Sequence, residues 1–382
     1  VSTSVYVHFP YCLQKCPYCD FASGTIKRDD VPHKAYADAV INELAMRSPL
    51  IGARELSTIF FGGGTPSLWS ADAIGCVIET IKSRFINVSA DLEITAECNP
   101  SSLDRNVARA LRGVGVNRIS IGVQSLNDER LRFLGRLHSG ESALRAVSEA
   151  QMEMPRVSAD MMFGSPGQTA EIFIDELSRL MELDLDHVSV YALTIEPATQ
   201  FGALHKKGKL KLAPEGDYAE TFLATRDYLS TRGLDHYEVS NYARAGQTSR
   251  HNQHYWRGGE YLGLGAGAVG CVHGTTGHAR RYRNEANPDR YMAGSSSPGV
   301  EVFEESLDAD DLIREALMLG LRTREGIDLV DVEQRAKKNP RIGREESIER
   351  QIKRHNLIDG ETTLRVPHDK WLALDSIVAD LF

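Results

Sequence analysis

Three thiols fall within eight residues, in the segment His8-Phe-Pro-Tyr-Cys12-Leu-Gln-Lys-Cys16-Pro-Tyr-Cys19-Asp-Phe21. Thiolates are soft ligands that suit zinc or an iron–sulfur cluster. Structural zinc normally takes four protein ligands, commonly as two separated pairs. Here Cys76, Cys98 and Cys271 are isolated from the triplet and from one another. Three ligands in one short loop, spaced C-x3-C-x2-C, fit a cubane cluster with one iron left open to a small molecule. A three-cysteine zinc knuckle completed by His8 or Asp20 is the alternative. The three remote cysteines read as buried small hydrophobes. His8, His138 and His187 read as structural histidines with satisfied hydrogen bonds.

Positioning such a loop requires a scaffold, and the periodicity supplies one. Short β-branched or aromatic runs at Ser4–Phe9, Ser57–Phe61, Leu92–Glu97, Arg118–Gly122, Val157–Phe163 and His187–Leu193 read as strands. Helical patterns fill the gaps at His33–Met46, Ala71–Phe85, Asp104–Arg112, Glu141–Gln151 and Thr169–Met181. Such alternation predicts an α/β fold with a parallel sheet of six βα units, either open or curved into a partial barrel. Ligand-binding residues then belong just after the C-terminal strand ends. The cysteine loop follows the first strand, as that rule requires.

After Leu193 the alternation weakens. Lys206, Lys207, Lys209 and Lys211 read as a solvated loop or hairpin, followed by a helix at Tyr218–Leu229 and a strand near His236–Val239. Gly294-Ser-Ser-Ser-Pro-Gly299 is the clearest linker signal. Beyond it, Ala309–Leu321, Leu329–Lys337 and Glu345–His355 read as helices. Thr362–Val366 reads as a strand and Leu372–Leu381 as a final helix, together a winged-helix-like module.

The 382 residues are 42% hydrophobic and 25% charged, ordinary for a globular chain. Net charge is −9, and residues 306–382 carry 13 Lys/Arg against 16 Asp/Glu. Neutralising phosphates supplies most nucleic-acid affinity, so neither the chain nor its last module reads as a nucleic-acid binder. No apolar run approaches the ~20 residues of a membrane helix. The first residues read as a strand and not as a signal peptide, so the expected setting is a reducing cytoplasm.

The cysteine motif, with Tyr18 just before its last cysteine, resembles that of the radical S-adenosylmethionine (radical SAM) superfamily. That resemblance implies a [4Fe–4S] cluster on Cys12, Cys16 and Cys19, whose open iron binds S-adenosylmethionine. In that family, electron transfer from the cluster cleaves the bound molecule. Phe61-Gly-Gly-Gly-Thr-Pro66 follows the second strand, and its glycines permit close backbone approach. Gly115-Val-Asn-Arg-Ile-Ser-Ile-Gly-Val-Gln-Ser125, Phe163-Gly-Ser-Pro-Gly-Gln-Thr169 and Tyr237-Glu-Val-Ser-Asn-Tyr242 narrow the resemblance to the oxygen-independent coproporphyrinogen III dehydrogenase (HemN-like) family. Carried over motif by motif, it implies S-adenosylmethionine contacts at Tyr6, Tyr18, Gly63, Gly64, Thr65, Glu97, Gln124, Arg136 and Asp160.

Two features depart from the dehydrogenase. That family carries a further cysteine where this chain has Phe21, and a longer N-terminal extension. His251-Asn-Gln-His-Tyr-Trp256 instead resembles the HNxxYW motif of the heme chaperone branch, HemW. This implies heme as cargo and heme-acceptor proteins as partners, including acceptors at the membrane surface. The dehydrogenase activity is the alternative. A heme site needs an axial ligand, apolar faces and cations for the propionates. His251 is the leading ligand, with His254 in reserve. Tyr255 and Trp256 would cover the ring, and Arg257, Arg280, Arg281 and Arg283 would meet the propionates. On residue chemistry alone, a His-Asn turn with Tyr-Trp filling the core is the competing reading. The expected organisation is a partial (βα)6 barrel over 1–240, an HNxxYW-containing extension over 241–293, and the winged-helix-like module over 294–382.

Overall fold

The computed structural model describes residues 2–382. It opens with β1 (Ser2–Phe9), then β2 (Tyr11–Cys12) and β3 (Gly24–Thr25), a two-residue pairing that clasps the cysteine loop. There follow α1 (His33–Ile51), β4 (Glu55–Gly63), α2 (Ala71–Arg84), β5 (Asn87–Cys98), α3 (Arg105–Gly113) and β6 (Arg118–Gln124). Next come α4 (Asp128–Phe133), α5 (Gly140–Gln151), β7 (Val157–Phe163), α6 (Ala170–Met181) and β8 (His187–Ala192). Strands β1 and β4 to β8 lie side by side, all parallel, in chain order. The six expected βα strands are all present.

Each of these strands alternates with period two. Val5, Val7 and Phe9, Ile59 and Phe61, Ile94 and Ala96, Ile119 and Ile121, Ala159 and Met161, and Val188 and Val190 pack outward into one apolar core beneath the helices. The opposite faces carry Ser4, Tyr6 and His8; Thr58 and Phe60; Glu93, Thr95 and Glu97; Arg118 and Ser120; Ser158 and Asp160; His187 and Ser189. Strands of a parallel sheet buried on both faces normally read as continuous apolar runs. Here one buried face is polar, and the sheet curls round it as a lumen.

The sheet does not end at β8. After α7 (Gln200–Lys206) and α8 (Glu215–Thr231), β9 (Asp235–Glu238) and β10 (Asn241–Ala243) add antiparallel to that edge. Past α9 (Arg250–Trp256), β11 (Tyr261–Leu264) joins parallel to β1 at the other edge. Then β12 (Val269–His273), β13 (Ala279–Asn284), α10 (Pro288–Gly294) and β14 (Glu301–Leu307) extend the sheet to twelve strands. The sequence concealed these strands because they are short and half-exposed; β13 reads Ala-Arg-Arg-Tyr-Arg-Asn. Gly294–Gly299 joins α10 to β14 inside this sheet, spanned by the β13–β14 pairing. Lys206 ends α7 and the following lysines form an exposed loop, so the stretch is a helix end rather than a hairpin.

A second core follows, formed by α11 (Ala309–Gly320), α12 (Leu329–Ala336), α13 (Glu345–Lys353) and α14 (Leu374–Ala379). With them goes a three-stranded antiparallel sheet of β15 (Ile327–Asp328), β16 (Ile358–Asp359) and β17 (Thr363–Arg365). Cys271 and Ala279 of the large sheet belong to this second core. Backbone bonds from Val239 to Arg322 (3.1 Å) and from Arg324 to Tyr237 (3.0 Å) add to the join. No helix among the described residues is long and apolar enough to cross a membrane.

Candidate functional site

The cysteine loop sits over the C-terminal mouth of the parallel strands. Thr65 donates to Cys12 Sγ (3.4 Å), and Arg136 reaches Cys16 Sγ (3.6 Å) from across the mouth. All three thiols are partly exposed, and burial pushes those of Cys12 and Cys19 upward. Among the described residues no three His, Cys, Asp or Glu side chains converge tightly enough for a single metal ion. Cys98 and Cys271 are buried as expected, whereas Cys76 is exposed on α2, because the helix turns that position away from the sheet.

The glycine turn after β4 is built against this loop. Gly64 and Thr65 donate to the carbonyls of Phe9 (2.7 Å) and Tyr11 (2.9 Å). A Cβ on Gly64 would lie 2.6 Å from the Tyr11 carbonyl oxygen, and Gly63 needs a φ of 104°. Close approach is therefore required first between two segments of the chain itself. Gly63 N–H also donates to Glu97 Oε2 (3.2 Å), which ties the turn to the third strand of the barrel.

Glu97 and Asp160 face each other across the upper lumen. Burial, reinforced by Asp160, lifts the Glu97 carboxyl to about 8. Asp160 is also raised by burial, while Ser120 donates to it at 2.9 Å. Tyr6 donates to His8 Nδ1 (3.0 Å), since His8 Nε2 is committed as the donor to the Ala22 carbonyl (2.9 Å). Gln124 adopts a positive φ of 69°, and its Oε1 is buried without a partner, as is Arg136 Nε. Arg136 donates instead to the Gly122 carbonyl (2.7 Å). Tyr18 lies against Phe201 under the loop. The mouth thus gathers Tyr18, Gly63, Gly64, Thr65, Glu97, Gln124, Arg136 and Asp160 beside the thiols, with Tyr6 one layer deeper.

His251 lies at a lower level of the same lumen. It is the second residue of α9, a buried side chain stacked on Phe60 with ring centroids 4.8 Å apart. Glu93 accepts from the backbone N–H groups of His251 (3.1 Å) and Arg250 (3.2 Å), and from the Arg156 guanidinium (2.5 Å). Hydroxyls set the tautomer. Ser57 donates to the Thr3 carbonyl (2.9 Å) and Thr58 donates to Ser4 (2.8 Å), so Thr58 accepts from His251 Nδ1–H (2.7 Å). The Nε2 lone pair is left buried with no partner, and burial lowers the imidazole to about 3. A neutral imidazole oriented through its other nitrogen is the form that ligates a metal. His254 Nε2, by contrast, is committed to the Glu260 carbonyl (2.7 Å).

The arginines expected to meet propionates are mostly engaged. Arg280 pairs with Glu301 and Glu304, Arg281 with Glu305 and Glu315, and Arg257 with Glu325. Arg283 lies over Phe303. His8 and His187 are satisfied as expected, His187 by Ser158 (2.7 Å) and Tyr237 (2.8 Å); His138 Nδ1 is not. At the far end of the barrel a cavity of about 1340 Å³ opens between the strand starts, α9 and α12. Thr58, Arg250, His254, Arg257, Glu260 and Arg335 line it. Sequence reading missed Thr58, Glu93, Thr95 and Arg118. Their signal was available, as polar residues at every second position of strands buried on both faces.

Comparison with known proteins bears on both the fold and the family. Residues 6–180 match the Radical SAM superfamily model and residues 307–352 the HemN C-terminal domain. The chain is 39% identical over 330 residues to the mitochondrial Radical S-adenosyl methionine domain-containing protein 1 of Mus musculus, covering 85% of this chain and 74% of that one. It is 39% identical over 293 residues to the heme chaperone HemW of Escherichia coli, covering 76% of each. The solved structure of coproporphyrinogen III oxidase (HemN) from Escherichia coli superposes with a TM-score of 0.81 at 24% identity, over all of this chain and 90% of that one. The last likeness concerns the fold.

Proposed function

The chain belongs to the HemW family of the radical SAM superfamily, and from that premise we propose that it is a heme chaperone. In this reading Cys12, Cys16 and Cys19 hold a [4Fe–4S] cluster that coordinates S-adenosylmethionine, and His251 holds heme for transfer to acceptor proteins. One observation carries the heme assignment: His251 Nε2 is buried and unpartnered, on an imidazole whose tautomer Thr58 fixes.

The donor set at the mouth fits the cluster. Three thiols share one loop, and Thr65 and Arg136 already direct hydrogen-bond donors at two of them. When bound, the cluster and S-adenosylmethionine supply one-electron chemistry. The residues beneath supply recognition. Gln124 Oε1 is free to accept, Arg136 Nε is free to donate, and Asp160 and a protonated Glu97 present acceptor and donor to one small polar ligand. Phe60, stacked between Tyr6 and His251, separates this level from His251. Phe21 is 55% exposed at the edge of the loop and offers no fourth thiol, which favours the chaperone over the dehydrogenase.

The test is anaerobic. Reconstituted protein is titrated with hemin and followed by its Soret band, with S-adenosylmethionine followed by perturbation of the cluster EPR signal. A stoichiometric Soret band lost in His251→Ala and kept in His254→Ala supports the reading. Sustained S-adenosylmethionine-dependent turnover of coproporphyrinogen III, without stable heme binding, would replace it with the dehydrogenase.

A further inference from the structure

Between the Glu97–Asp160 level and the Glu93–Thr58 floor, the lumen holds polar groups that nothing in the protein satisfies. Arg118 opens β6 on the same face as Ser120, which bonds to Asp160, so its side chain enters the lumen two residues deeper. It is 2% exposed, yet among the described residues it makes no hydrogen bond and no ion pair. Thr95 is its register partner on β5, and Thr95 Oγ1 is buried without a partner. Phe60 is the register partner of Thr95 on the other side, and His251 stacks on Phe60 with Nε2 unpartnered. The field of Arg118 reaches Glu97, Asp160 and His251.

A guanidinium facing the lumen with no protein partner is free to take an anion, and an orphaned buried hydroxyl such as Thr95 Oγ1 is costly. Arginine's planar fork matches a carboxylate in bidentate geometry. Cationic, hydroxyl and metal-ligating groups converging on one level of a lumen define a ligand with a carboxylate arm and a metal. We propose that Arg118, with Thr95, is a carboxylate-binding site in the lumen that takes a propionate arm of the tetrapyrrole held by His251. This rests on the heme reading above. It also replaces Arg280 and Arg281, whose guanidinium groups are already engaged by glutamates.

The experiment compares hemin with hemin dimethyl ester, which keeps the iron and ring and lacks the carboxylates. Both are titrated into cluster-reconstituted wild type, Arg118→Met and Thr95→Val. Wild type is expected to prefer hemin to the ester by at least about 10-fold, the scale of a hydrogen bond to a charged group. Arg118→Met should erase that preference by weakening hemin alone, and Thr95→Val should reduce it a few-fold. Affinity for the dimethyl ester should be unchanged in Arg118→Met; an arginine with a merely structural role would weaken both compounds alike. Equal affinity of wild type for hemin and its ester, or an unchanged preference in Arg118→Met, overturns the site while leaving heme binding intact. Failure of wild type to bind either compound overturns the heme reading itself.

Discussion

The mouth of the barrel and the level around His251 are built by opposite strategies. At the mouth, chemistry-bearing residues crowd into loops: three thiols within eight residues and a glycine turn pressed against them through backbone bonds. Around His251, Thr58 of β4, Glu93 and Thr95 of β5 and Arg118 of β6 meet only because the sheet curls. Both levels leave buried groups unpartnered, Gln124 Oε1 and Arg136 Nε at the mouth and His251 Nε2 and Thr95 Oγ1 below. Loop-built sites have a local sequence signature; lumen-built sites have a periodic one spread over the whole barrel.

If the two levels are separate devices, damage to one should spare the other. The largest effect is expected from Cys12→Ala, Cys16→Ala or Cys19→Ala, each of which should abolish cluster absorption after anaerobic reconstitution. The same variants should still give a hemin Soret band, and loss of both signals would merge the two levels into one site. Replacing Cys98 or Cys271, buried in the apolar cores, should leave the cluster spectrum intact.

Next in size, His251→Ala should weaken hemin by about 10-fold or more, the scale of one lost strong interaction, with the cluster spectrum unchanged. Reversing the logic, Glu97 tests the mouth by pH. Its folded carboxyl lies at about 8, above the ordinary 4.5. Its contribution to stability is therefore complete below the unfolded value and lost as pH rises through 8. Ligand-free protein should lose stability between pH 5 and pH 9, on the order of a few kcal/mol. Glu97→Gln should flatten that slope in a denaturant–pH series; an equally steep profile would show that the carboxyl titrates normally.

Gly64→Val should cost about 1–3 kcal/mol and lower cluster yield, because its side chain would collide with the Tyr11 carbonyl beside Cys12. Urea unfolding and iron content would measure the two effects. The smallest change is expected from Arg280→Ala with Arg281→Ala. Their partly exposed glutamate pairs contribute about 0–1 kcal/mol each, and hemin affinity should stay within error. A clear fall in affinity would move the propionate contacts from the lumen to β13.

The amino-acid sequence by itself determined the cysteine loop, the glycine turn after β4 and the order of six parallel strands. Local spacing and periodicity survive in one dimension, so these features are legible before folding. It also carried the HNxxYW segment, because six adjacent residues keep their order on any fold. What it could not show was that this segment forms a helix whose first turn is held by Glu93, a residue 158 positions earlier. Nor could it show that β11 to β14 complete the large sheet, since short strands with exposed arginines lack a hydrophobic pattern. Tertiary structure alone decided which arginine is free. Arg280, Arg281 and Arg118 look alike in sequence, but pairing across β13–β14 and to Glu315 of α11 neutralises the first two, while curling of the sheet buries the third without a partner.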